Sequence, residues 1–300
     1  MTRAALSNQD YESFRTFLES ACGIVLGENK HYLVVSRLSR LMADEGVETL
    51  ADLVAHLKDD RKRQLRERIV EAMTTNETFW FRDTFPFDIL KETIFPDLAD
   101  RRVRSPRIWS SACSSGQEPY SISMTIQEYQ ASRPGSLTDV QIMATDISPT
   151  ILLDAKEASY DALALARGLS NERKQKFFTP LRDGRWQARP EIRNRVRFSQ
   201  ANLLQSYSLL GRFDVIFCRN VLIYFSSESK SDILARMARV LNPGGYLFLG
   251  SSESITQYSD EFEMVRCPRG SVYRVKSGLV LKPTAPIPRP IVRPAGNGKR

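Results

Sequence analysis

The chain has 300 residues, 42% hydrophobic and 26% charged, with 43 basic and 35 acidic side chains and a net charge of +8. That length holds one or two domains with a substantial core, and the composition excludes global disorder and collagen-like structure. There is no run of 18 apolar residues, and the start MTRAALSNQDYESF carries no apolar leader, so neither a membrane span nor a secretory signal is expected. Cys22, Cys113, Cys218 and Cys267 are far apart and form no CxxC pair. A reducing cytoplasm is therefore expected, without a disulfide scaffold or a zinc site. A positive chain invites a nucleic-acid reading. The excess is local, however: residues 167–197 hold 10 basic and 3 acidic side chains, residues 276–300 hold 6 and 0, and the remainder is net −5.

The first 75 residues read as a small helical domain. Ser7 and Asp10 resemble a capping box, followed by Tyr11, Phe14, Leu18 and Ala21 at helical spacing before Gly23. Further helices are expected over 28–45, 49–58 and 61–73, each with an apolar stripe. From residue 107 the pattern alternates. Short apolar runs at 107–111, 140–144, 195–199, 213–218 and 245–250 are separated by helical segments, which predicts a parallel sheet covered on both faces. Residues 227–241 form an amphipathic helix, stopped by Asn242-Pro243-Gly244-Gly245. FEMVRC, PRG and SVYRV read as a closing antiparallel hairpin at the sheet edge. Residues 160–196 interrupt the alternation, with KFFTPL and RWQARP as two short strands around Asp183-Gly184. The acid-free, proline-rich tail 277–300 is expected to be disordered. The expected division is thus 1–75 helical, 76–276 α/β with the insert, and 277–300 tail.

Open parallel sheets bind ligands at the carboxyl ends of their strands. After the first strand comes SACSSGQEPYS, whose small residues permit a tight turn and whose Glu118 opens a helix. It is not GxGxxG, so a dinucleotide reading is weak, and an acid there also suits the helix dipole. Asp146 follows the second strand, where a carboxylate accepts ribose hydroxyls or simply caps a helix. Asn202 and Leu203 follow the third, an amide beside an apolar group that suits an adenine, although asparagine also serves turns. Arg219, Asn220 and Tyr224 follow the fourth; an arginine directly after a buried strand implies an anion or a partner. TTNETFWFRD at 74–83 threads Asn76, Thr78 and Arg82 through an aromatic plug at the domain junction. His31 and His56, the only histidines, fall in the helical domain, and no GxSxG or Walker lysine motif is present. A hydrolase or kinase is therefore disfavoured.

TTNETFWFRD, ACSSGQEPYS, ATDIS, ANLL, FCRNVLIYF and LNPGGYLFLGSSES, in this order, resemble the CheR-type chemotaxis receptor methyltransferases, over about residues 5–275. The resemblance implies a helical N-terminal domain joined to a class I (Rossmann-like) methyltransferase domain with a small inserted antiparallel β-subdomain. It implies a protein-glutamate O-methyltransferase that uses S-adenosylmethionine and releases S-adenosylhomocysteine. It carries cofactor binding to Asn76, Thr78, Arg82, Glu118, Asp146, Asn202, Leu203, Arg219 and Asn220, and substrate orientation to Arg82 and Tyr224. The implied partner is the acidic cytoplasmic helical bundle of a chemoreceptor. The enzyme is then a cytoplasmic monomer that meets the membrane only through the receptor, with no metal and no nucleic acid. A helix face with Lys30, Arg37 and Arg40 is a candidate dock for that bundle, as is the basic insert. Family members can bind a receptor C-terminal pentapeptide through the β-subdomain, but the compact turn in LRDGRWQA favours a tether-independent enzyme. Two rivals remain weaker. A nucleic-acid methyltransferase lacks its NPPY-like motif here, where CRNVLIYF stands. A non-catalytic cofactor sensor is at odds with every family position being filled.

Overall fold

The computed structural model describes residues 7–57 and 62–276. The basic tail therefore lies outside the described residues.

Four helices form the first unit: α1 (Asn8–Cys22), α2 (His31–Asp44), α3 (Leu50–Leu57) and α4 (Arg63–Met73). The Ser7 side chain accepts the Asp10 backbone N–H, and Gly23 ends α1 at φ +81°. Tyr11, Phe14, Leu18, Leu38, Leu53 and Ile69 meet in a core of their own. The second helix begins three residues later than expected. The Tyr11 hydroxyl donates to Gly27 O (2.7 Å) and accepts from Lys30 N (3.2 Å), which holds residues 27–30 as a turn.

A helical stretch absent from the sequence reading follows: α5 (Phe85–Ile89), a π-helical turn at Leu90–Ile94, and α6 (Phe95–Asp100). Its Phe87, Leu90, Ile94, Phe95 and Leu98 are buried against the sheet. Strands and helices then alternate as β1 (Arg107–Ser110), α7 (Gln117–Ser132), β2 (Gln141–Asp146) and α8 (Pro149–Glu157). The insert comprises β3 (Ser159–Tyr160), α9 (Ala162–Ala166), α10 (Asn171–Phe177), β4 (Phe178–Pro180), β5 (Trp186–Ala188) and α11 (Pro190–Arg193). The chain returns through β6 (Val196–Gln200), β7 (Phe213–Cys218), α12 (Ser227–Val240) and β8 (Leu241–Leu249), and closes with β9 (Phe262–Cys267) and β10 (Gly270–Val275).

The seven-stranded sheet has the order β6-β2-β1-β7-β8-β10-β9. Its first five strands are parallel, and β10 is antiparallel to both neighbours. The chain winds outward from β1 to β2 and β6, then restarts at β7 on the other side of β1. That reversal opens a crevice at the carboxyl ends of β1 and β7.

Two details differ from the sequence reading. The small sheet has three strands, β3-β5-β4, because Ser159 and Tyr160 pair with Gln187 and Trp186. The last parallel strand starts at Leu241 rather than at 245. Its partners shift from Phe213↔Leu241 to Val215↔Tyr246, so Asn242–Gly245 form a bulge opposite Asp214. Asn242 Nδ2 donates to Asp214 Oδ1 (2.8 Å), and a Cβ on Gly245 would lie 3.1 Å from Asp214 O.

Candidate functional site: a cleft between the two domains

A cavity of about 190 Å³ opens over the β1/β7 crevice. Asn76, Thr78, Arg82, Glu118, Asp146, Asn202, Leu203, Arg219, Asn220 and Tyr224 all line it. Sequence reasoning missed the opposite wall, which the helical domain supplies through Ile24, Val25, Leu26, Leu33 and Arg37. These positions read as ordinary helix-face and loop residues, and only the docking of the two domains gives them a role.

That docking is built from named bonds. Asn202 Nδ2 donates to Ala21 O (2.8 Å), and Val25 N donates to Tyr224 O (2.8 Å). Glu71 Oε1 accepts from Ser148 Oγ (2.6 Å) and Thr150 N (3.1 Å). Phe225 lies so close over Gly23 that any Cβ there would overlap its ring. Arg37 Nη1 donates to Met73 O (2.6 Å) and Thr74 O (2.8 Å), which fixes the start of the linker. Arg37 is thus spent inward and does not complete an outward basic face, whereas Lys30 and Arg40 are exposed. Asn202 also serves the domain junction, with Oδ1 accepting Leu204 N (2.9 Å), while it lines the cavity.

Besides the exposed Glu77, two largely buried carboxylates line the cavity. Asp146, at the end of β2, accepts Ser114 N (2.8 Å) and Ser148 N (3.1 Å). Ser114 adopts φ +49° in the SACSSG loop, which turns its N–H onto that carboxylate. Glu118, in the first turn of α7, accepts Ser110 Oγ (2.8 Å) and Arg219 Nη1 (3.0 Å). Burial pushes the pKa of Glu118 up, against the opposing pull of Arg219. Burial also raises Asp146, against the N–H bonds from Ser148 and Ser114.

Arg219 answers the question its position posed: the anions it meets belong to the protein. Its side chain is 1% exposed and also donates Nη2 to Asp83 Oδ2 (2.7 Å) and to Arg82 O (2.8 Å). Phe81, Asp83 and Thr84 all have positive φ (49°, 66° and 53°), so Arg219 pins a strained turn. Arg82 sits in that turn, its guanidinium 5.2 Å from the Phe79 ring centre and Nη1 3.3 Å from Glu77 O. Arg167 covers the same ring at 5.3 Å and pairs with Glu77, which holds that carboxyl below its usual range. Within the insert, part of the positive charge is paired or turned inward. Arg173 pairs with Glu128 (2.7 Å), Arg185 with Glu157 (3.2 Å), and Arg195 donates to Ser123 O (3.1 Å). Arg167, Lys176, Arg182 and Arg197 remain exposed. The insert is therefore less of a charged docking module than its composition suggests.

This parallel sheet, with its order reversing at β1, and the acids beyond its first two strands form the frame of a class I S-adenosylmethionine-dependent methyltransferase. The chain belongs to the CheR methyltransferase family. Residues 9–74 match the family's all-alpha domain and residues 76–271 its SAM-binding domain. The chain is 54% identical to a chemotaxis protein methyltransferase of Pseudomonas putida, over 90% of this chain and 98% of the relative. It is 54% identical to chemotaxis protein methyltransferase 1 of Pseudomonas aeruginosa, over 90% and 99%. It is 35% identical to the chemotaxis protein methyltransferase of Salmonella typhimurium, over 87% and 89%.

The cofactor is S-adenosylmethionine, and the residues fit it. Two buried acids suit its hydroxyls and ammonium, Leu203 and Ile147 give apolar wall, and Ser111, Ala112 and Ser114 allow close approach. Among the described residues no group of three or more His, Cys, Asp or Glu is placed to hold a metal ion, and no helix is long and apolar enough to cross a membrane.

A pH prediction follows from the raised acids. Both pKa values lie above ordinary carboxylates, so on acidification Glu118 and Asp146 take up protons before typical acids near roughly 4 do. Affinity for S-adenosylhomocysteine, read by calorimetry, should fall through that weakly acidic range, and Glu118→Gln should flatten the fall. The cofactor-free protein should respond in the opposite sense. A raised folded-state pKa contributes stability that is present below the unfolded value and lost as pH rises through the folded one.

Proposed function

We propose that the chain transfers the methyl group of S-adenosylmethionine to the side-chain carboxylate of specific glutamates on the cytoplasmic helical bundle of chemoreceptors. The products are glutamate methyl esters, and the modification serves sensory adaptation. The observation that carries this reading is a cleft lined together by Arg82, Tyr224 and the acids Glu118 and Asp146.

When bound, the cofactor supplies an electrophilic methyl group on a positive sulfonium. Glu118 and Asp146 would hold its polar groups, with Asn76, Thr78, Asn220 and the Asn202-Leu203 segment around them. A substrate glutamate is already ionised near neutrality, with a reference pKa of roughly 4.3, so the site needs no general base. The chain's work is alignment and the exclusion of water. Arg82 aims the carboxylate, and Tyr224 supplies a hydroxyl at the same cleft. A guanidinium that holds the ground state equally well gains nothing in rate, so Arg82 must favour the geometry of transfer.

The enzyme is a cytoplasmic monomer in this reading, and it reaches the membrane through its receptor. The hairpin turn in the insert is closed by Leu181 N to Arg185 O (2.8 Å) and Gly184 N to Leu181 O (3.2 Å), which supports independence from a receptor pentapeptide. The test is methylation of a purified receptor cytoplasmic fragment, with the modified residue located by mass spectrometry. Methyl esters on glutamates support the proposal; methylation confined to amines or thiols overturns it.

A further inference from the structure

The motif GSSES supplies Glu253, which no role above employs. Its carboxylate gathers three backbone donors from two segments. Oε2 accepts Asn220 N (2.7 Å) and Gly250 N (2.8 Å), and Oε1 accepts Ile223 N (3.3 Å). Glu253 N closes the same turn onto Gly250 O (3.0 Å). Asn220 stands at φ +57°, a left-handed conformation that asparagine adopts more readily than most residues. A Cβ on Gly250 would lie 2.7 Å from Asn220 Nδ2 and 2.8 Å from Glu253 Oε2, so only glycine leaves room for this packing. Beyond Asn220, a 3₁₀ turn at Leu222–Tyr224 brings Tyr224 to the lining of the cleft.

The geometry points to Glu253 as a positioning residue: its carboxylate anchors the loop after β7, setting Asn220 on the cofactor side through one oxygen and Tyr224 on the substrate side through the other. Charge-assisted bonds to backbone N–H groups are stronger than neutral ones and suit this task. The substrate half of the inference rests on the proposed function; the cofactor half rests on the cleft alone.

Glutamine separates the two halves. Its single carbonyl oxygen can keep the two bonds made by Oε2, while its amide turns a donor toward Ile223 N. Glu253→Gln should therefore keep S-adenosylhomocysteine affinity within about threefold and lower kcat about tenfold, with little change in KM. Glu253→Ala should lose about tenfold in both affinity and kcat. Hydrogen exchange of residues 219–225 should quicken in both variants, while the helical domain stays unchanged. If Glu253→Ala binds like wild type, or if Glu253→Gln loses affinity and turnover in parallel with thermal stability, the inference fails. If the wild type does not methylate receptor glutamates, the proposed function fails instead, and the affinity and exchange measurements on Glu253→Ala still decide the anchor.

Discussion

Arg82→Ala should lower methyl transfer by about 100-fold while affinity for S-adenosylhomocysteine stays within about threefold. The guanidinium is half-buried at the cleft, and its side chain donates a 3.3 Å hydrogen bond to Glu77 O. Little of its hydrogen-bonding capacity is committed to holding the fold, so its removal should leave the domain intact. What is lost is alignment, and misplacing a reacting group by about 1 Å can cost that factor. Arg82→Lys should recover only part of the rate, because a point charge does not reproduce a planar fork. Tyr224→Phe should act in the same direction with a smaller effect. Equal losses in calorimetric affinity and turnover would sink this assignment.

Arg219→Met should be the most damaging single change to stability among the cleft residues. It strands Glu118 and Asp83, whose side chains are 12% and 23% exposed, and releases Arg82 O. Breaking one side of a buried ion pair costs about 3–5 kcal/mol. The melting temperature should fall by about 10 °C, since about 1 kcal/mol shifts a protein of this size by roughly 2–4 °C. Cofactor affinity should fall with it, because Glu118 loses the partner that opposes its raised pKa. That sets the pH dependence. With Arg219 gone, the Glu118 pKa rises further, so the penalty is greatest when the carboxyl is ionised and shrinks as pH falls and it protonates. Thermal unfolding of variant and wild type should therefore converge on acidification. A constant gap at all pH values would contradict the role given to the pair.

The sheet was legible because parallel strands are continuous apolar runs and their carboxyl ends are where ligand-facing residues must fall. Asp146 and Arg219 could be picked out by position alone. What position could not tell was where their side chains point. Asn202 looked like a base-reading amide, and position did not show that one of its N–H groups also joins the domains through Ala21 O. Arg219 lines the cleft as its position suggests, but its Nη atoms are bound to Glu118, Asp83 and Arg82 O, which pins the 81–84 turn, and its buried Nε has no partner among the described residues. Those are long-range contacts, invisible to local pattern. The strained turn carries no glycine to announce its positive φ values, and the wall formed by Ile24, Leu26 and Leu33 exists only once the two domains dock. The net charge of the insert was only partly legible for a related reason. Composition counts cations but not the Glu128 and Glu157 partners that absorb them.

The most direct test of the central claim is transfer of radiolabelled methyl from S-adenosylmethionine to chemoreceptor-containing membranes, followed by mild base. The account predicts receptor-bound label that base releases, as an ester requires, and that Arg82→Ala nearly abolishes. Absence of receptor label, or label that survives base, would contradict it.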